Sequence, residues 1–253
     1  MTWDPEQYLK FREQRSAPFE DLLALVPTKP GMRVIDLGCG TGDLTRRLAD
    51  VLPDSEVVGV DSSSEMLKKA HDRAQRGVTF LAQRIEDVEG QWDLVFSNAA
   101  IQWVGNHESL VRQLFSLLAP GGRLAVQVPS NTSHPSQTLI AETAREGAMR
   151  DGLKGWVHQW PVLPVARYAE ILFEVGASDI IALDKVYPHV LPDWDAVVEW
   201  MAGTALIPYF ERLPADLRPE FLRRYGEKIR EAMPDRPVFF GFKRTLFAGT
   251  RPE

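Results

Sequence analysis

Cysteine is almost absent from this sequence, since Cys39 is the only one among 253 residues. A single cysteine cannot form an intramolecular disulfide, and no group of cysteines and histidines has the spacing of a zinc site, so we predict no metal. Long apolar runs are also absent, because none approaches the roughly 18 residues that a transmembrane helix requires. The first residues lack the basic region and apolar stretch of a signal peptide. These absences predict a cytoplasmic protein without a membrane partner.

An excess of positive charge is absent as well. The formal net charge is −6, and the basic residues are scattered in short pairs that are typical of solvated helix faces. Such a distribution argues against a nucleic-acid partner. With 44% hydrophobic and 25% charged residues, the composition is that of an ordinary globular protein with a substantial core. The length predicts a single domain over residues 1–253, and nothing in the sequence indicates an oligomeric state.

Two strand-helix units are readable in the first third of the chain. The apolar strand Arg33–Leu37 is followed by a glycine-rich stretch at 38–42 and by helical spacing of apolar residues at 44–52. The strand Glu56–Asp61 is followed by a capping box, in which Ser62 is the expected N-cap. Further strands are predicted at 78–83, 92–98 and 123–128. The alternation predicts an α/β protein with a doubly wound, mostly parallel sheet.

The pattern changes after residue 129. A helix at 137–150 and an aromatic, glycine-bearing stretch at 152–160 predict an insertion that lies over the sheet. The remaining predicted elements are a helix at 165–175, a strand at 180–187, helices at 194–213 and 214–233, and a closing strand at 238–249. We expect residues 30–130 to form a ligand-binding half, with lid or substrate elements at 130–170 and 190–237.

The most informative motif is the Gly-x-Gly-x-Gly loop at 38–42, between a strand and a helix. Its small residues allow the backbone to approach a ligand closely, and amides at the helix N-terminus face that ligand. A dinucleotide-binding loop would have a third glycine where this chain has Asp43. Asp36, just before the loop, suits a cationic amino group rather than a phosphate. Asp61 ends the second strand about 20 residues further on, where a carboxylate accepts ribose hydroxyls. Together these residues predict a ligand that contains adenosine and a cation.

Residues 30–130 resemble the class I S-adenosylmethionine-dependent methyltransferases in this loop and in the acids at both strand ends. The resemblance implies a Rossmann-like sheet of seven strands with a helical lid, with S-adenosylmethionine as cofactor and S-adenosylhomocysteine as product. In that family the residue before Ile85 is commonly an acid that binds the adenine amino group. Arg84 stands here, which leaves Glu86 or Asp87 for that contact. The cofactor-binding residues that the resemblance implies are Asp36, Gly38, Cys39, Gly40, Gly42, Asp61, Ser62, Met66, Ile85, Glu86, Asn98, Ala99 and Trp103.

A closer resemblance extends almost from end to end of the chain. The segments that carry it are 3–11, 15–16, 98–103, 126–129 and 242–247. These segments resemble the trans-aconitate 2-methyltransferase family, in which a carboxylate of trans-aconitate becomes a methyl ester. In that family the N-terminal segment folds over the cofactor, so the resemblance makes Tyr8 and Arg15 candidates for contact with cofactor or acceptor. Similar sequences methylate other organic acids, which leaves the acceptor open.

A carboxylic acid needs no general base as a methyl acceptor. Its pKa is about 4, so the carboxylate is already ionised at pH 7 and can attack the methyl carbon directly. We therefore predict no catalytic side chain, and catalysis by positioning and desolvation. The block at 96–103 also lacks the Asn-Pro-Pro-Tyr motif of enzymes that methylate amines.

An acidic acceptor needs local cations in a chain of negative net charge, and arginine suits a carboxylate best. Arg15, His158 and Arg244 are the candidates, with Lys154 and Arg167 behind them, and for each a structural ion pair is an open alternative. The predicted substrate-binding residues are Tyr8, Arg15, Trp103, His158, Tyr209 and Arg244. Cys39 is interpreted as a small loop residue rather than a nucleophile, because no activating base is evident. For Trp103 a position in the core is the alternative to lining the acceptor pocket. Tyr209 and Trp200 are assigned to the core or to a pocket wall, with the core favoured for Trp200. His71, His107 and His189 are assigned to the surface or to helix caps.

Three other functions stay open at this point. A nicotinamide-dependent oxidoreductase would share Asp61, but it should have glycine at position 43 and no acid at position 36. A non-catalytic adenosylmethionine-binding module differs from an enzyme only in turnover. A methyltransferase that acts on a fatty or isoprenoid acid, a phenol or an amine is the most serious alternative.

Overall fold

The computed structural model describes residues 12–253, and for residues 12–16 it describes the backbone alone. Three short 3-10 turns lie at Ile85–Asp87, Ile101–Trp103 and Ala215–Leu217. The strands are β1 (Arg33–Leu37), β2 (Glu56–Asp61), β3 (Val78–Ala82), β4 (Trp92–Asn98), β5 (Leu118–Pro129), β6 (Ser178–Leu191) and β7 (Val238–Thr250). The helices are α1 (Arg12–Leu23), α2 (Asp43–Asp50), α3 (Ser64–His71), α4 (His107–Ser116), α5 (Pro135–Ala144), α6 (Gly147–Gly152), α7 (Val165–Glu174), α8 (Trp194–Ala202), α9 (Ile207–Arg212) and α10 (Arg218–Ala232).

The strands form one sheet of seven in the order β3-β2-β1-β4-β5-β7-β6. The pairs from β3 to β5 are parallel, and β7 runs antiparallel to β5. This confirms the predicted doubly wound, mostly parallel sheet. The strand order reverses between β1 and β4, and ligands of such sheets bind at the carboxyl ends of the strands next to that reversal.

Both faces of the sheet are covered by helices. In β1, Val34 belongs to one hydrophobic core and Ile35 to the other, as the alternation of side chains along a strand requires. Helices α1, α2 and α3 contribute residues to the first core, and α4 and α7 contribute residues to the second. Because both faces are buried, the central strands carry apolar residues on both faces rather than on alternate positions only.

The described residues divide into two compact units. The sheet unit comprises Ser16–Ser130, Pro161–Lys185 and Arg244–Glu253, and the helical unit comprises Asn131–Trp160 and Val186–Lys243. The prediction of one domain over residues 1–253 stays a prediction.

The helical unit has a hydrophobic core of its own, to which α5, α6, α8, α9 and α10 contribute residues. Trp200 is 2% exposed in this core, as predicted. The Tyr225 hydroxyl donates a hydrogen bond of 2.8 Å to the backbone oxygen of Ser136 and so connects α10 to α5. Among the described residues, no helix is both long enough and apolar enough to cross a membrane.

Two of the predicted long helices are each broken into two shorter ones. The predicted helix at 137–150 is wrong as a single element, because α5 ends at Ala144 and Gly147 opens α6 with φ +41°. The predicted helix at 194–213 is likewise two helices, since Gly203 ends α8 and Pro208 stands in the first turn of α9. A glycine favours a helix end and a proline favours a helix start, so both signals were present in the sequence.

The predicted N-cap of α3 is wrong by one residue. Ser63, not Ser62, accepts a hydrogen bond from the Met66 amide with its hydroxyl oxygen, at 3.3 Å. The Asp61 carboxylate accepts from the Ser63 amide at 2.8 Å. The acid at the end of β2 thus holds the first turn, and the helix begins one residue later than its serine run suggests.

Two histidines predicted at the surface or at caps are buried instead. His107 is 1% exposed, with its ring nitrogens 2.5 Å from the Tyr168 hydroxyl and 2.9 Å from the Ile101 oxygen. His189 is 9% exposed, and its ring lies against Trp200. Burial lowers the pKa of His107, so its ring is neutral at pH 7. These buried contacts could not be predicted from the spacing of polar residues along the chain.

Candidate functional site

The glycine loop packs so closely that side chains do not fit at two of its three glycines. A Cβ added at Gly38 would lie 2.2 Å from the Cβ of Ala100, and one at Gly42 would lie 2.7 Å from the ring of Phe80. At Gly40 the space is open, but φ is +55°, which favours glycine. The loop therefore presents backbone rather than side chains at the carboxyl end of β1.

Asp36 is a buried carboxylate directly before this loop. It is 4% exposed, and the Thr45 hydroxyl donates a hydrogen bond of 2.6 Å to it from α2. Burial raises the pKa of Asp36 to about 6, the Thr45 bond lowers it, and the charge of Asp61 adds to the increase. A cation beside Asp36 would relieve this cost, which is the property expected of a residue that binds an ammonium group.

Asp61 is held by two backbone amides at the carboxyl end of β2. One carboxylate oxygen accepts from the Gly40 amide at 2.9 Å, and the other accepts from the Ser63 amide at 2.8 Å. Each oxygen of a carboxylate has two acceptor sites, so both oxygens keep capacity for a further donor. The carboxylate is thus oriented by the loop and by α3, with room to bind hydroxyl groups.

Cys39 is buried in the same loop, at 8% exposure. Burial and then the charges of Asp36 and Asp61 raise the pKa of its thiol, so the thiol stays protonated at pH 7. This agrees with its interpretation as a small loop residue rather than a nucleophile.

The residues expected near the adenine follow β3, and Arg84 stands among them where the family commonly has an acid. Arg84 donates to the Glu86 carboxylate at 2.6 Å, which lowers the pKa of Glu86. Arg84 also lies 3.9 Å from the Asp87 carboxylate. Ile85 is 9% exposed, and the backbone oxygen of Glu86 accepts from the Gln113 side chain at 2.7 Å. Arg84 therefore pairs with both acids that were candidates for the adenine amino group, and the roles of Ile85 and Glu86 stay predictions.

The fourth strand ends in a tight turn that follows Asn98. Ala99 adopts φ +55°, and its amide donates a hydrogen bond of 2.9 Å to the Gln127 backbone oxygen. The Gln102 side chain donates to the Ala99 oxygen at 2.6 Å. Trp103 is 50% exposed, which excludes the core position that was its alternative. The turn thus places an exposed indole next to a hydrogen-bonded backbone at the same edge of the sheet.

A row of polar side chains, from half-buried Asn98 through buried Gln127, joins this turn to Arg244. Gln127 on β5 donates from its amide nitrogen to the Asn98 side-chain oxygen at 3.4 Å. Its amide oxygen accepts from the Arg244 guanidinium at 3.1 Å, and Arg244 is 5% exposed on β7. Gln127 was not among the residues predicted from the sequence. The signal was a lone polar residue among apolar residues of β5 that are 0% exposed on either side of it.

Two predicted substrate residues meet within the helical unit. The His158 amide donates to the Tyr209 hydroxyl at 3.3 Å, and the His158 ring lies 4.3 Å from the ring of Trp160. Arg212 lies over the ring of Trp156 at 4.1 Å. Burial, and then the charge of Arg212, lowers the pKa of His158. The Nε2 atom of His158 is buried and has no hydrogen-bond partner among the described residues. Tyr209 is 3% exposed and forms part of this aromatic group.

The other predicted cations are placed differently. Arg167 pairs with Glu108, Glu170 and Glu174 at the surface, so its charge is already matched by acids. Lys154 is exposed in a left-handed turn of the helical unit. Tyr8 lies outside the described residues, and so does the side chain of Arg15. The structure therefore brings Asn98 and Arg244 together in the sheet unit, and His158 and Tyr209 together in the helical unit.

Residues 17–253 hold no group of three or more histidine, cysteine, aspartate or glutamate side chains that could bind a metal ion. The groups at the ends of β1 and β2 are a buried carboxylate, a second carboxylate fixed by amides, and a loop that presents its backbone. These groups suit an organic ligand that carries a positive charge and hydroxyl groups.

Comparison with known proteins shows the family of this chain. The profile of the methyltransferase domain family matches residues 28–164. A trans-aconitate 2-methyltransferase of Deinococcus radiodurans is 45% identical over 100% of both chains. Proteins of the same name from Azoarcus sp. and Rhizobium meliloti are 40% and 39% identical, in each case over 99% of both chains.

Solved structures share the fold of this chain at low sequence identity. The YcgJ protein of Bacillus subtilis has a TM-score of 0.63 and 16% identity, covering 94% of this chain and 99% of its own. A putative methyltransferase of Bacillus halodurans has a TM-score of 0.59 and 14% identity, covering 94% of this chain and 100% of its own. By its domain profile and its full-length relatives, this chain belongs to the methyltransferase superfamily and, within it, to the trans-aconitate 2-methyltransferase family.

Proposed function

We propose that this protein transfers the methyl group of S-adenosylmethionine to one carboxylate of trans-aconitate. The products are the monomethyl ester and S-adenosylhomocysteine. The observation that carries the proposal is the full-length similarity to relatives that bear this name, at 45% identity in the first of them. The buried polar groups of the sheet unit support it, because they match the chemistry of both partners in the reaction.

The residues at the ends of β1 and β2 fit an S-adenosylmethionine site. Asp36 is a buried anion for the ammonium group of the methionine moiety, and it has a raised pKa that such a cation would lower again. Asp61 is oriented by two amides to accept the ribose hydroxyls. The backbone of the loop, with open space at Gly40, allows close approach of the ligand.

The reaction needs no proton transfer. S-adenosylmethionine supplies a methyl group on a positively charged sulfur. An oxygen of the acceptor carboxylate forms a bond to the methyl carbon, the carbon-sulfur bond breaks, and its electron pair stays on the sulfur as a neutral thioether. The protein therefore has to hold two oppositely charged groups in line and exclude water. Asp36 would hold the cofactor through its ammonium group, and Arg244 would hold the acceptor through a carboxylate that is not methylated.

Arg244 is our candidate for holding a carboxylate of the acceptor that is not methylated. Its guanidinium offers a planar fork of donors that matches a carboxylate. Trp103, His158 and Tyr209 are the other described candidates for contact with the acceptor, together with Tyr8 and Arg15. Asn98, Ala99, Ser62, Met66 and Ile85 are candidates for contact with the cofactor.

The test uses the full chain with methyl-labelled S-adenosylmethionine. The acceptors are trans-aconitate, other di- and tricarboxylates, fatty and isoprenoid acids, phenols and amines. We expect label in trans-aconitate that mild base releases as methanol, because only a carboxyl ester is cleaved in this way. The matched control is Asp61→Ala, which should turn over more slowly at a limiting concentration of cofactor, because its affinity for the cofactor is lower. Label that resists base, in an amine or a phenol, would overturn the proposed acceptor class.

The pH dependence of the rate provides a second discriminating measurement. With saturating cofactor and acceptor, the rate should be nearly flat from about pH 6 to 9, because a carboxylate is ionised throughout that range. A steep rise with a midpoint near pH 8 or above would indicate that an amine or a phenol is deprotonated before transfer.

A further inference from the structure

We infer that Gln127 is a positioning residue that sets the orientation of the Arg244 guanidinium, and through it the recognition of the acceptor. This inference rests on the proposed function, since it deepens the role given there to Arg244. Gln127 lies on β5, where its backbone is in register with Asn98 of β4. Pro129, two positions further along β5, is in register with Arg244 of β7.

The orientation of the Gln127 side chain follows from its partners. A guanidinium only donates hydrogen bonds, so the amide oxygen of Gln127 must face Arg244, at 3.1 Å. The amide nitrogen then faces the Asn98 side-chain oxygen, at 3.4 Å. As a result the amide group of Asn98 turns its own nitrogen, a donor, away from Gln127. One buried amide therefore fixes the orientation of two neighbours.

The backbone of Gln127 supports the same arrangement. Its carbonyl oxygen accepts from the Ala99 amide at 2.9 Å, and Ala99 holds the left-handed conformation that turns the chain toward Trp103. Gln127 thus contacts the end of β4 and the turn after it through its side chain and through its backbone.

A polar side chain at this position is costly without such a role. Gln127 is 0% exposed, and Val126 and Val128 on either side of it are also 0% exposed. A leucine would fill similar space and avoid the burial of an amide, which is unfavourable unless its hydrogen bonds are made. The two side chains to which Gln127 makes those bonds are Asn98 and Arg244, which are the candidates for the cofactor side and the acceptor side.

A guanidinium on a long side chain has many rotamers, and a carboxylate is bound well only when the fork is aligned. Gln127 removes part of that freedom before the acceptor arrives. Loss of Gln127 should therefore weaken acceptor binding more than it slows the transfer step, because the methyl carbon and the attacking oxygen are not its contacts.

The test is a double-mutant cycle between Gln127→Met and Arg244→Ala, measured as KM and kcat for trans-aconitate. Methionine has a similar size but lacks the amide. We expect Gln127→Met to raise KM about tenfold with kcat within about threefold of the original. In the Arg244→Ala background the same change should raise KM less than about twofold, because Gln127 acts through Arg244.

The matched control is Thr245→Val, on the next residue of β7. Thr245 is 1% exposed and donates a hydrogen bond of 2.6 Å to the Asp184 carboxylate, so this change also removes one buried hydrogen bond. It should lower the thermal midpoint without changing KM. If Gln127→Met raises KM equally in both backgrounds, Gln127 is structural only and the inference fails.

A second variant keeps the test decisive if Gln127→Met does not fold. Gln127→Glu keeps the shape and the acceptor for Arg244, but its negative charge pairs with the guanidinium and competes with the carboxylate of the acceptor. We expect KM for trans-aconitate to rise at least about tenfold, and an unchanged KM would overturn the inference. Absence of any turnover of trans-aconitate by the original protein would instead overturn the proposed function, and the inference with it.

Discussion

Replacement of Asp36 by asparagine should make the protein more stable while it weakens cofactor binding. Folding raises the pKa of this carboxyl from 3.8 to about 6 by burial. The folded state therefore binds the proton more tightly than the unfolded state, and stability falls as the pH rises from about 4 to 6. Above pH 6 the ionised, buried carboxylate costs about 3 kcal/mol, at about 1.4 kcal/mol for each tenfold change in proton affinity.

Asparagine removes this cost but introduces a smaller one. Its side-chain oxygen can still accept the hydrogen bond of the Thr45 hydroxyl. Its amide nitrogen, however, is buried where Asp36 had an oxygen, which costs about 1–2 kcal/mol if no acceptor is near. We expect Asp36→Asn to raise the free energy of unfolding by about 1–2 kcal/mol at pH 7.5 and to give no gain at pH 4, where the native carboxyl is protonated.

The assay is urea denaturation at pH 7.5 and pH 4, with calorimetric titration of S-adenosylhomocysteine at pH 7.5. The matched control is Thr45→Val, which keeps the charge and removes its hydrogen bond, and should destabilise the protein at pH 7.5. Cofactor affinity of Asp36→Asn should fall roughly 10- to 100-fold, as expected for a charge-assisted bond. A stability gain of equal size at both pH values would refute the electrostatic reasoning, and an unchanged affinity would refute the assignment of Asp36.

Three further predictions concern the remaining residues. Asp61→Ala should weaken binding of S-adenosylhomocysteine by about 1–3 kcal/mol in calorimetry, because two ribose hydroxyls lose a charged acceptor; unchanged affinity in a folded variant would contradict the assignment. Arg244→Ala should raise KM for trans-aconitate about 10- to 100-fold with cofactor affinity unchanged, and Arg244→Lys should restore only part, since a point charge does not reproduce a fork. Burial lowers the pKa of His107, so its contribution to stability is present above about pH 6.5 and is lost as the pH falls. Between about pH 7 and 5, His107→Gln should therefore lose less stability in urea denaturation than the original protein, and equal losses would refute this.

The strands of the first half could be predicted almost residue by residue from the sequence. β1, β2 and β4 begin and end where the apolar runs predict, because strands buried on both faces are marked by continuous apolar residues with turn residues at each end. β5 was predicted from 123, but it begins at Leu118, where Trp92 pairs with it across an irregularity in register. The Pro-Gly-Gly sequence predicts a turn, but in the structure these residues lie within β5. The pairing with β4 that extends the strand could not be predicted from this local sequence.

Residues of the candidate site were predictable where a backbone feature marks them. The loop glycines and the strand-end acids stand at fixed offsets from strands, so Asp36 and Asp61 could be named as candidates from the sequence alone. The role of Gln127 could not, because it depends on side chains from two other strands that the sequence does not place side by side. The same holds for His107, whose partner Tyr168 is 61 residues away.

The buried polar residues of the sheet unit point to one principle for this reaction. A methyl transfer without a general base leaves the protein only charge placement and alignment as means of catalysis. Asp36 is 4% exposed and accepts a hydrogen bond from Thr45, and Arg244 is 5% exposed and donates one to Gln127. In each of these two bonds the partner is a neutral side chain, so the bond orients the charged group without neutralising it. At Asp36 the raised pKa shows the cost of this arrangement in the free protein, and binding of a cationic ligand would recover it.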